Sequence, residues 1–245
     1  MLLPYCSGVD LNCGCPQSWA CAESIGAALM EKPELVCDII RAAKQAIKDD
    51  GYAGRRTMSV KIRIHKDLEQ TRRFVKAVQD AGVDYITIHG RLKSTRSTIP
   101  VNIDAVAYLR QYVKVPLLFN GDVESLSKAQ DAYKKTGVDG VMSARDILHN
   151  PALFIGAESC TWEAVERFIN FVVKAPLPLK LVVHHVNVMT EGGKSGSPGL
   201  LQGDHGLRAK VTPLLTKAER LRLINCMDML DVIDLLDEVR EVRRL

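Results

Sequence analysis

In Val9-Asp10-Leu11-Asn12-Cys13-Gly14-Cys15-Pro16-Gln17, apolar Val9 and Leu11 alternate with Asp10 as a short strand requires, and Gly14 and Pro16 then break the ladder. In a parallel barrel that carboxyl end of the strand is where chemistry sits. Asn12 offers a donor and an acceptor beside two thiols, on backbone that Gly14 opens to close approach by a flat ligand. That combination suits a base or another ring substrate.

Outward from this strand, Ser18 to Met30 reads as a loop with a short helical piece. Pro33 then opens a helix whose face carries Leu35, Val36, Ile39, Ile40, Ala43 and Ile47, and Asp49-Asp50-Gly51 ends it. Ser59 to Ile64 alternates apolar and polar residues, so Lys61 and Arg63 face something other than core. The unit repeats: helix 67–81, strand 85–89, helix 103–112, strand 116–120, helix 126–133, and strand 140–144 followed by Ile147-Leu148. Alternation of this kind implies parallel strands joined by right-handed crossovers. The expected fold class is therefore α/β, an incomplete TIM-type (β/α) barrel of about five parallel strands, since closure takes eight.

Beyond Phe154 the periodicity is helical throughout: 165–173, 179–189, 214–227 and 229–242. Two domains are expected, 1–155 and an all-helical 156–245, with a Gly-rich insertion at 192–206. Charge in the helical part is balanced but segregated. Arg208, Lys210, Lys217, Arg220 and Arg222 precede Asp228, Asp231, Asp234, Asp237 and Glu238. Either the two sets pair with each other as solvated helix faces, or the first is a stripe facing RNA.

The 245 residues are 47% hydrophobic and 25% charged, which fits an ordinary globular chain with a sizeable core. A net charge of +4 neither demands nor forbids a nucleic-acid partner. Seven cysteines without framework spacing point to thiols in a reducing, intracellular setting, cytoplasmic or nuclear. No apolar run reaches the ~20 residues of a membrane span, so no membrane partner is expected. Nor is a metal: the gaps among Cys6, Cys13, Cys15 and Cys21 match neither zinc nor iron–sulfur patterns.

Several residues have the chemistry of a site. A thiol of ordinary pKa near ~8.5 is protonated at neutral pH and can act as a general acid, a description that fits Cys13 and Cys15 equally. Cys37, on an apolar helix face, reads as structural. Lys61 lies between apolar Val60 and Ile62 and needs an acceptor partner. His89, at a strand end, can donate to a phosphate or ring carbonyl, and Arg91 can pair with phosphate or stack on a base. Asn120-Gly121-Asp122 and Ala144-Arg145 follow the last two strands, where barrels commonly bind phosphate.

Asn12-x-Gly14-Cys15-Pro16, Val60-Lys61-Ile62-Arg63, Ile88-His89-Gly90-Arg91, Asn120-Gly121-Asp122 and Ala144-Arg145 together resemble, in order and spacing, the tRNA-dihydrouridine synthase family. The similarity is greatest to the eukaryotic 20a/20b type. It implies reduction of the C5–C6 double bond of a D-loop uridine in tRNA, with FMN as cofactor and NADPH as reductant. It assigns proton donation to Cys15, flavin contacts to Lys61 and His89, and a place nearer the RNA to Arg91; Asn12 would hold the base edge. The usual Gly-Arg-Gly after the last strand is Ala144-Arg145-Asp146 here, which sets a carboxylate near the presumed phosphate. Family members also carry three βα units ahead of the Cys strand. By that reading residues 1–245 alone have open sheet edges, bind flavin poorly and lack full activity. Two rival readings are an FMN barrel oxidoreductase of the dihydroorotate dehydrogenase type, acting on a free pyrimidine, and a non-catalytic RNA-binding fragment.

Overall fold

The computed structural model describes residues 2–192 and 212–243. Its backbone divides into two compact units, 2–123 with 129–142, and 124–128 with 143–192 and 212–243. The second begins before residue 155 because helix Arg145–His149 packs on helix Leu179–Thr190. Of the expected insertion at 192–206, all after Gly192 lies outside the described residues, as do Arg208 and Lys210.

In the first unit β1 (Gly8–Cys13) is followed by α1 (Ser18–Ala22), a 3-10 turn Gly26–Glu31 and α2 (Pro33–Asp49). Then come β2 (Thr57–Ile64), α3 (Leu68–Asp80), β3 (Tyr85–Leu92), α4 (Ile103–Arg110), β4 (Leu117–Asn120), α5 (Leu126–Thr136) and β5 (Gly140–Met142). The five strands form one sheet in sequential order, every pair parallel. It is an incomplete barrel-like α/β fold, as the alternating units require. Its helices start where side chains cap them: Asp67 accepts from Glu69 N and Asn102 from Ala105 N, both at 2.9 Å.

The core fills one face of this sheet. Met58, Val60, Ile62, Ile64, Ile86, Ile88, Leu117 and Phe119 are buried with Val36, Ile40, Phe74, Val75 and Leu109 from the helices. Cys37 is buried there too, as expected of a structural cysteine, whereas Leu35 is exposed. Because successive strand residues point to opposite faces, the alternate positions are excluded from this core.

The second unit holds α6 (Arg145–His149), α7 (Trp162–Lys174), α8 (Leu179–Thr190), α9 (Lys217–Ile224) and α10 (Met229–Val242). Val165, Val172, Val182, Val186, Leu215, Leu223, Val232 and Leu236 form its own core. Thr216 and Glu219 make a reciprocal capping box on α9, which delays the helix to Lys217 from the expected 214.

Candidate functional site

Register assembles the polar face of the sheet. Asp10 pairs with Ser59, and Asn12 with Lys61, which in turn pairs with Thr87; one step further Arg63 pairs with His89 and His89 with Asn120. Four motifs far apart in sequence thus meet as two rows near the carboxyl ends of four strands. After His89 the pairing jumps to Ile64 with Leu92, leaving Gly90 and Arg91 as a bulge. Gly90 is required there, because a Cβ would sit 2.6 Å from the Asn102 carbonyl oxygen.

The two thiols that sequence could not separate have opposite environments. Cys13 is the last residue of β1, 0% exposed in the apolar core, and burial, aided by Asp10, pushes its thiol up to about 12. Cys15 lies past the turn and is partly exposed. Its loop is held at several points. Asn12 Oδ1 accepts from Gly14 N and Cys15 N, both at 3.0 Å, and the Cys15 carbonyl accepts from Ala27 N at 2.8 Å. Gly26, at φ +63°, packs so closely that a Cβ would stand 2.7 Å from that carbonyl oxygen. Arg63 Nε donates to the Gly14 carbonyl at 2.8 Å. Asn12 therefore shapes the Cys15 turn with its oxygen, and only its amide nitrogen is left to meet a ligand.

Lys61 is half-buried; burial, then the charge of Arg63, lower its pKa, and Asp10 opposes them. Asp10 also accepts from Ser59 Oγ at 2.7 Å. Next to Lys61 in register, Thr87 is fully buried on the same face, and its hydroxyl has no hydrogen-bond partner among the described residues. A buried hydroxyl left unpaired is costly, and Thr87 carries that cost beside Lys61 on the polar face.

Arg91, expected near RNA, is 3% exposed and spent inside the protein. Its Nη2 donates to both oxygens of Asp122 at 2.6 Å and to the Ser97 carbonyl at 3.1 Å, and Nε donates to the Ile99 carbonyl at 2.7 Å. Nη1 lies 3.2 Å from His89 Nε2, which must accept, so the imidazole proton sits on Nδ1. Asp122 also accepts from Val101 N at 2.9 Å. Arg91 and Asp122 thus pin the loop after β3 rather than present charge to solvent. Gly121, at φ +127°, allows the crowding: a Cβ would meet Val101 Cγ2 at 2.6 Å and His89 Cδ2 at 3.1 Å. Asn120 donates to the Met142 carbonyl at 2.9 Å, tying β4 to β5.

Ala144 and Arg145 belong to the second unit and are exposed. Burial and Glu124 raise the pKa of Asp146, so the carboxylate that sequence set against a phosphate is the more easily neutralised. In the basic stretch before α10, Arg222 meets Glu238 at 2.8 and 2.5 Å and Arg220 meets Glu191 at 3.3 Å, while Lys217 is exposed. Among the described residues no cluster of three His, Cys, Asp or Glu could hold a metal, and no helix is long and apolar enough to cross a membrane.

Arg63, Thr87, Gly26 and Ala27 were not singled out as site residues. Arg63 had a signal, being a basic residue at the alternate strand position after Lys61. The other three act through backbone geometry or a small hydroxyl, which composition does not distinguish.

The dihydrouridine synthase (Dus) family model matches residues 3–201. The chain is 44% identical over 186 residues to a tRNA-dihydrouridine(20a/20b) synthase [NAD(P)+] of Schizosaccharomyces pombe, covering 76% of this chain and 56% of that protein. It is 40% identical over 195 residues to the protein of that name from Saccharomyces cerevisiae, covering 78% and 52%. A human tRNA-dihydrouridine(20a/20b) synthase [NAD(P)+]-like protein is 37% identical over 191 residues, covering 78% and 59%. The chain thus spans little more than half the length of these curated relatives. With four of its five family motifs gathered on one parallel sheet, this chain belongs to the dihydrouridine synthase family.

Proposed function

We propose that the chain is part of an FMN-dependent tRNA-dihydrouridine synthase that reduces the C5–C6 bond of a D-loop uridine in tRNA, with NADPH as reductant. One observation carries this reading: of two thiols two residues apart, Cys13 is sealed in the core and Cys15 stands partly exposed at the strand end, on the loop next to the polar rows. Bound FMN, once reduced by NADPH, would supply a hydride for C6. Lys61 would hold the ring on the polar face, His89 would add a contact at its edge, and Asn120, Gly121 and Asp122 would shape the phosphate end. The target uridine leaves its stack and lies over the sheet, its edge held by the Asn12 amide. Cys15 Sγ–H gives its proton to C5, and the electron pair stays on sulfur.

Residues 1–155 are the flavin-binding part and 156–245 the tRNA-binding part. In the helical part, Arg167 and Lys174, two turns apart on α7, and Lys180 at the start of α8 are exposed and have no partner among the described residues. With Lys217, exposed at the start of α9, they are cations available to phosphates. Arg91 serves by holding the loop 92–100 in place. The setting is intracellular, cytoplasmic or nuclear.

The test is to incubate the native protein with FMN, NADPH and tRNA transcribed without modifications, then digest the RNA and measure dihydrouridine by mass spectrometry. A two-hydrogen mass gain on a D-loop uridine is expected; flavin turnover on free pyrimidine with no gain in tRNA would refute the reading.

A further inference from the structure

The loop that carries Cys15 is tied down mostly from its own side, by Asn12 at the end of β1 and by Gly26 and Ala27 in the turn behind it. Among the described residues one side chain from another strand also reaches it, that of Arg63 on β2. Its Nε holds the Gly14 carbonyl at 2.8 Å, and its Nη1 holds the carbonyl of Leu92, the last residue of β3, at 2.9 Å. Arg63 is 9% exposed, so both carbonyl contacts are made largely out of water. A planar guanidinium presents donors along two edges and can bridge carbonyls on different strands at once; an ammonium is a single point and holds one of them.

Resting on the reading of Cys15 as proton donor, we propose that Arg63 is a positioning residue that clamps the Cys15 loop to the end of β3, fixing the thiol over the polar face. Gly14 has no side chain to anchor, so its carbonyl is the natural handle for the loop.

The test uses the flavin-loaded native protein with Arg63→Ala, Arg63→Lys and, as a surface control, Arg41→Gln. Two quantities are measured: amide hydrogen exchange of the peptide spanning 12–17, without RNA, and the single-turnover rate of uridine reduction in bound tRNA. For Arg63→Ala, exchange should accelerate in 12–17 while β2 and β4 keep wild-type protection, and the rate should fall by about 10- to 100-fold as the thiol drifts from its attack position. Binding of tRNA should be unchanged. Arg63→Lys should recover part of the rate, and low-millimolar guanidinium added to Arg63→Ala should recover more. Wild-type exchange in 12–17, or a wild-type rate, would overturn the clamp. So would acceleration spread over the whole sheet, which would mark Arg63 as a residue of fold stability. Cys15→Ala run alongside separates the two ideas: if it kept uridine reduction the proton-donor reading would fall, while local exchange in Arg63→Ala would still report the clamp.

Discussion

Two arginine–carboxylate pairs, one in each unit, have the same chemistry and opposite meaning. Arg91 and Asp122 meet at 2.6 Å with both side chains 2% exposed, whereas Arg222 and Glu238 meet at 2.5 Å with 54% and 53% exposed. The buried pair has lost its hydration and has replaced it with the carbonyls of Ser97 and Ile99 and the amide of Val101. It is a strut of the polar end of the sheet. The exposed pair keeps its water and contributes little, since Coulomb attraction across high dielectric is offset by the entropy of holding two long side chains. An arginine in a family motif is therefore not by itself a contact for RNA; burial decides whether its charge is structural or available.

The largest effect should come from breaking the buried pair. Asp122→Ala leaves Arg91 charged and unpaired in the interior, and urea denaturation should give a loss of about 3–5 kcal/mol. A variant with both residues made apolar should recover much of that loss. If Asp122→Ala cost no more than a surface change, the contrast between the two pairs would collapse.

Lys61 sharpens the comparison from between the extremes. Its pKa is lowered in the fold, so the folded state disfavours the charged form, and that penalty is complete at pH values below its folded pKa. As pH climbs from there to the ordinary value of 10.5, the folded state gives up the proton before the unfolded state does, and the penalty fades. Lys61→Met should accordingly raise Tm over wild type at pH 7, and the difference should shrink as pH approaches 10.5. A difference independent of pH would mean that the gain is packing alone. The smallest effect belongs to the exposed pair. Arg222→Ala should leave the midpoint of the same urea titration close to that of wild type, because an exposed pair keeps its water.

Much of the sheet was legible in the chain because its strands are bounded by punctuation: Gly14 and Pro16, Pro116, Gly140. The polar alternation of Ser59, Lys61 and Arg63 marked the working face before any register was known. The partnerships were not legible, because they are non-local. Arg91 finds Asp122 only when β3 and β4 pair, 31 residues apart, and Arg222 finds Glu238 only when α9 and α10 pack. The two thiols were ambiguous for a different reason. A spacing of two puts residues on the same face for as long as a strand continues, but β1 stops at Cys13, and the turn built on Asn12 sends Cys15 elsewhere. Chain geometry after the last ladder bond, absent from any periodicity, separates a buried thiol from an accessible one.

That separation is the central claim, and parallel assays of Cys15→Ala and Cys13→Ala test it most directly. Each native protein variant, loaded with reduced flavin and mixed with unmodified tRNA, is followed through one turnover by the dihydrouridine formed. Cys15→Ala should form none above background while still binding flavin and tRNA, and Cys13→Ala should react at close to the wild-type rate with only a stability loss from its emptied core position. Equal loss in the two variants, or reduction that survives in Cys15→Ala, would contradict the assignment of the proton donor.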